Sequence, residues 1–111
     1  MMVRPARFEV IEIAARPTLV LSVVGELDMK TVEVLAAHVG LRLRNGVAGL
    51  TLDLRELAFI DSSGLRFLIE LSDRARRERW RLRLTAPLHE PAMMMLRATG
   101  ADIALPFEPS V

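Results

Sequence analysis

Cysteine is absent from the sequence. That excludes disulfides, a thiolate nucleophile and any cysteine-held metal. Charge of one sign is missing too: 15 Lys and Arg stand against 14 Asp and Glu, for a net charge of +1. No strong global field therefore draws the chain to nucleic acid or to an anionic membrane. No apolar run approaches the roughly 20 residues that a membrane helix needs. The opening "MMVRPARFEVIEI" is interrupted by Pro5, Arg7 and Glu9, and lacks the apolar centre of a secretory signal. Histidine is scarce, at positions 38 and 89 only, and Trp80 is the single tryptophan.

What is present is an ordinary globular balance. Hydrophobic residues make up 51% and charged residues 26% of 111, enough for one domain with a real core. There is no internal repeat and no low-complexity linker. The expectation is a cytoplasmic protein of one domain, 1–111, without membrane insertion.

Element types alternate along the chain. "RFEVIEIA" alternates apolar and polar residues and predicts a strand; "TLVLSVVG", after the break at "RPT", predicts a second, antiparallel to it. Past the loop "GELDMKT", Val32, Leu35, Ala36, Val39 and Leu43 recur at helical spacing. Asp28 or Thr31 can cap that helix, and Asn45–Gly46 ends it. "GLTLDLR" is a strand with Leu50, Leu52 and Leu54 on one side. A second helix runs from about Ser62 to Arg79. Leu65, Leu68, Ile69, Ser72 and Ala75 share its apolar face, and Phe67 lies at the edge of that arc. Glu70–Arg74 and Asp73–Arg77 are spaced i, i+4. "WRLRLTA" is a strand and "HEPAMMMLRATG" a short helix. "DIALPF" predicts a short final strand, and Pro106 and Pro109 end the order. The Met93–Met95 triplet reads as core filler, one methionine inward and two at the flanks. The predicted order is β-β-α-β-α-β-α-β: an α/β fold with a mixed sheet and helices packed mainly on one face.

The loop "IDSSG" joins a strand's carboxyl end to the second helix, where sites collect in open α/β folds. It admits three readings. Asp61, Ser62 or Ser63 can cap the helix while Gly64 allows a tight turn. A nucleophilic serine is disfavoured, since neither histidine belongs to a recognisable motif and the loop is not G-x-S-x-G. In the third reading Ser62 is modified. A phosphate there adds nearly two negative charges at a helix N-terminus, where local N–H groups can stabilise it. Its main effect falls on a protein packed over that helix end, because a flat interface cannot bury a dianion without cations.

"LDLRELAFIDSSGLRFLIEL" resembles the core of the STAS domain, the fold of the anti-sigma factor antagonists. "GELDMKT" resembles that family's G-E-L-D-x-x-T loop, and the resemblance covers about residues 8 to 107. It implies a protein that binds an anti-sigma factor serine kinase and so releases the sigma factor. The kinase then uses ATP to phosphorylate Ser62, the phosphorylated antagonist lets go, and a serine phosphatase resets it. By the same likeness Asp28 and Thr31 lie beside the phosphorylation loop, and Asp61, Ser63, Gly64, Arg66 and Phe67 join them in the docking surface. The nucleotide belongs to the kinase, so this chain is expected to have no cofactor, no metal and no catalytic residue of its own.

The sequence departs from that family in two places. Many relatives close with a further helix; here "LPFEPSV" leaves it missing or reduced, and an uncovered core surface would favour a homodimer or larger assembly. The segment 74–83, in "SDRARRERWRLR", is rich in arginine and reads as a solvated helix end rather than a direct nucleic-acid contact, Trp80 being its only aromatic. The alternative to the antagonist is a non-switching STAS module of a lipid-transport complex or a stress-signalling scaffold, with Ser62 structural.

Overall fold

A computed structural model describes residues 7–108. Its centre is the long strand β2 (Leu19–Leu27). β1 (Glu9–Ala14) pairs with it antiparallel, Val10 opposite Val23. On its other side run two parallel strands placed end to end. β3 (Gly49–Asp53) sets Leu52 opposite Leu21, and β4 (Leu57–Ile60) sets Ile60 opposite Leu27. β5 (Arg81–Thr85) extends the sheet parallel to β3. The result is a mixed five-stranded sheet.

Period-two alternation decides which face is covered. Leu50, Leu52, Leu82 and Leu84 are buried, while Thr51, Asp53 and Arg83 between them are only half-buried and Arg81 is exposed. α1 (Thr31–Arg44) brings Leu35 and Val39 to the leucine core. α2 (Ser62–Glu78) brings Leu65, Leu68, Leu71 and Ala75. Each leucine of α2 contributes about 1.5–3 kcal/mol by leaving water. α3 (Glu90–Thr99) has its proline in the first turn, ends on Gly100 in the left-handed conformation, and packs beside β4. Met93 is buried, Met95 half-buried and Met94 exposed, the distribution expected of the triplet.

The α/β class holds, and several details differ. "LAFI" is a strand in its own right, β4, so two strands stand between α1 and α2 where the sequence predicted one. The final strand predicted over 102–107 is a one-turn helix, α4 (Ala101–Ala104), followed by a single parallel bridge between Phe107 and Leu84. The Gly100 turn restarts the helix, with the Ile103 and Ala104 N–H groups both donating to its carbonyl. Pro106 then has no N–H to extend a ladder.

Ile69 is 43% exposed rather than part of the buried face. The buried arc of α2 is centred between Leu68 and Ala75, so Ile69 sits about 100° away, on the rim. The ion pairs of α2 are also shifted: Arg74–Glu78 at 3.0 Å and Asp73–Arg76, not Glu70–Arg74 and Asp73–Arg77. All are exposed, so the exchange alters stability by a few tenths of a kcal/mol. Pro109 and the expected loss of a closing helix fall outside the described residues.

Candidate functional site

The register of β2 with β4 brings the two motifs together. Leu27 lies opposite Ile60, so the chain leaves both strands side by side, into "DMKT" on one strand and "DSSG" on the other. The Asp61 N–H then donates to the Leu27 carbonyl at 3.1 Å. Gly64 completes the contact. A Cβ there would lie 2.8 Å from the side chains of Ile60 and Leu27 and 2.9 Å from the Leu27 carbonyl oxygen. Only a residue without a side chain lets α2 start this close to the end of β2.

Each loop is held by its aspartate. Asp61 is extended, and its Oδ1 accepts from the N–H groups of Ser63 at 2.8 Å and Gly64 at 3.0 Å, a side-chain cap of α2. Asp28 Oδ1 accepts from the N–H groups of Lys30 and Thr31, both at 2.9 Å. Thr31 answers: its hydroxyl donates to the Glu26 carbonyl at 2.7 Å and accepts from the Asp28 N–H at 2.9 Å. The N–H bond from Thr31, joined by that from Lys30, holds the Asp28 carboxyl below the usual aspartate range.

This settles which of the candidates caps α2. Asp61 does. Ser62 is exposed, and its hydroxyl has no hydrogen-bond partner among the described residues. Ser63 is half-buried and contributes its N–H rather than its hydroxyl. His38 is an exposed residue within α1, and His89 precedes α3 with its N–H on the Leu57 carbonyl; among the described residues neither imidazole hydrogen-bonds to Ser62 or Ser63.

Arg66 follows Ser62 by one turn, exposed and without an ion pair among the described residues. Phe67 is half-buried and packs on the core, so it is only partly open to a partner. Sequence reasoning missed three exposed apolar side chains nearby: Met29 (71%) between Asp28 and Lys30, Phe59 (41%) just before the loop, and Ile69. Ser62, Arg66 and Ile69 follow at i, i+4 and i+7, so one stripe of α2 carries all three outward. The signal for Met29 was present, an apolar residue enclosed by charged ones in a loop.

With that geometry in view, comparisons agree on the fold. A family model described as "Mlab, STAS domain" matches residues 13–106, and the chain belongs to the STAS-domain family. It is similar to the crystal structure of an anti-sigma factor antagonist from Mycobacterium paratuberculosis, with 25% identity and a TM-score of 0.72, covering 95% of this chain and 88% of that one. The unphosphorylated form of the anti-sigma factor antagonist SpoIIAA matches at 24% identity and TM-score 0.68, over 85% of this chain and 81% of that one. The phosphorylated form of SpoIIAA, described as a Bacillus cell fate determinant, matches at 26% identity and TM-score 0.64, over 85% and 84%. Among the described residues no helix is long and apolar enough to cross a membrane.

Proposed function

We propose that this protein is an anti-sigma factor antagonist of the cytoplasm, which binds an anti-sigma factor serine kinase, releases the sigma factor, and is switched off by phosphorylation of Ser62. The observation that carries the reading is the free, exposed Ser62 hydroxyl beside an aspartate that already performs the capping. A serine kept there for the helix alone would have no work to do. Likeness to two antagonists at 25% identity or just above supports the role.

The site's hydrogen bonds say how the switch acts. The Ser63 and Gly64 N–H groups are taken by Asp61, and the Leu65 N–H by the Asp61 carbonyl. A phosphate on Ser62 therefore finds every N–H of the first turn but that of Ser62 itself already taken. It points outward with about −1.5 to −2 charge, with the Asp28 and Asp61 carboxylates in the adjoining loops. The nearest cation along the helix is Arg66, one turn on. The fold keeps its caps and tolerates the modification. The cost falls on the partner, which would have to bury a dianion against Met29, Ile69 and the loop backbone. The partner lets go, and a serine phosphatase restores binding.

Incubation with native cytosol and labelled ATP tests this. Wild type takes up label, and Ser62→Ala does not; label on Ser62→Ala at the wild-type level overturns the assignment. A second reading is a non-switching STAS module of a lipid-transport complex or a stress-signalling scaffold. One observation favours it: the matching family model is described by Mlab and not by an antagonist.

A further inference from the structure

The far end of α2 carries a feature that the switch does not use. Arg74, Arg76, Arg77, Arg79, Arg81 and Arg83 crowd the passage from α2 into β5. Three of them have acidic partners: Arg74 pairs with Glu78, Arg76 with Asp73, and Arg83 with Glu108 at 3.2 Å. Arg77 has none among the described residues, and neither do Arg79 and Arg81. Arg79 and Arg81 line an open cleft of about 920 Å³, together with Arg76, Arg83, Trp80 and Thr51. The amino ends of β3 and β5 and the last turn of α2 form its walls.

Several properties make this more than a solvated helix end. Arg79 is the only residue among those described, glycine apart, with a positive φ, at 60°. That conformation closes α2 and commits Arg79 to the corner where the cleft opens. Trp80 is half-buried, and its indole N–H donates to Glu78 at 3.1 Å. The ring's polar edge is thus committed within the chain and part of the ring packs against the core, while the remainder lines the cleft. The carboxylates nearby are already paired, so the unbalanced charge is positive. Like charges held together repel one another, and an anion that bridges them removes that repulsion. Planar guanidinium groups match phosphate oxygens two at a time. The volume lies within the range that takes one small ligand, about 300–1,000 Å³.

We propose that this cleft binds a small, multiply charged phosphate, held by Arg79 and Arg81, with any ring it carries set against Trp80. The site is a helix length from Ser62, about 25 Å for 17 residues. The inference therefore stands or falls independently of the switch.

Trp80 is the sole tryptophan, so its fluorescence reports binding directly. The purified chain is titrated with inorganic tripolyphosphate and with a nucleoside triphosphate, without added metal, at low and high salt. Saturable quenching is expected, weaker at high salt. It is expected to weaken by about tenfold or more in Arg79→Gly combined with Arg81→Gln, through loss of two charge-assisted contacts. Glycine suits the left-handed position, so a failure to fold does not confound that variant, and urea unfolding checks it. Ser62→Asp should bind like wild type. Tighter binding of the nucleoside triphosphate identifies a ligand with a ring; equal binding identifies one held by its phosphates alone. The proposal is overturned by an absence of saturation in wild type, by equal affinity in the double variant, or by tighter binding of poly-glutamate than of tripolyphosphate.

Discussion

The two ends of α2 satisfy a helix in opposite ways. At the amino end, Asp61 occupies two N–H groups and Gly64 brings the backbone against Leu27, leaving one side chain, Ser62, uncommitted. At the carboxyl end no side chain bonds the last carbonyls as a cap; the chain turns through a strained Arg79, and a crowd of arginines is left partly unpaired. The first end has few groups left over, and the phosphate proposed for Ser62 would act there on what can dock. The second is open and positively charged, so it suits a ligand arriving already charged. The function proposed for each end rests on which groups the fold has left over.

The sharpest way to break this contrast is at Gly64. Gly64→Ala forces a Cβ into the Leu27 carbonyl and the Ile60 side chain, and should cost about 3 kcal/mol by overpacking. A urea midpoint close to wild type would show that α2 does not rest on β2 as described. Next comes the cap. Asp61→Ala should lose about 1 kcal/mol in the same experiment. The opposite end answers with the opposite sign: Arg79→Gly relieves a left-handed residue and should gain up to about 1 kcal/mol, less the entropy glycine adds to the unfolded chain. Smallest of all is Ser62→Ala, within about 0.5 kcal/mol, because its hydroxyl bonds nothing in the fold. A large loss there would return Ser62 to a structural role.

Acid sharpens the comparison further. Asp28 has its carboxyl held low by the Thr31 and Lys30 N–H groups. Asp53 is held low by its bond from the Arg55 guanidinium, and Glu78 by those from Trp80 and Arg74. A carboxyl depressed in the folded state stabilises above its unfolded value, about pH 4, and loses that contribution as pH falls through the lower folded value. The stability gap between wild type and Asp28→Asn should therefore narrow below about pH 4 in urea titrations. A gap that stays constant down to pH 2 to 3 would mean that the Asp28 bonds do not depend on its charge.

Much of this was legible in the sequence, for physical reasons that differ by region. Leu50, Leu52 and Leu54 alternate so strictly that the strand and its covered face followed from period alone. The two loops around Asp28 and Asp61 were readable because capping chemistry is local. That they meet came from the family resemblance alone, since it rests on a parallel register between Leu27 and Ile60, far apart in the chain. Ile69 misled because a hydrophobic residue on the rim of an arc looks like one at its centre. The segment 102–107 misled because "DIALPF" alternates, while Gly100 and Pro106, acting on the backbone, favour one helical turn and a lone bridge. The arginines of 74–83 were visible as composition, but the cleft they line exists only once α2, β3 and β5 are folded together.

The measurement that tests the central claim most directly is a comparative pull-down from native cytosol with ATP present, using wild type, Ser62→Ala and Ser62→Asp as baits and mass spectrometry to identify what is retained. The account predicts a small ATP-binding serine kinase held by wild type and by Ser62→Ala and lost from Ser62→Asp. The same transporter or scaffold proteins held equally by all three baits would contradict it, and would make this a STAS module in which Ser62 does not switch.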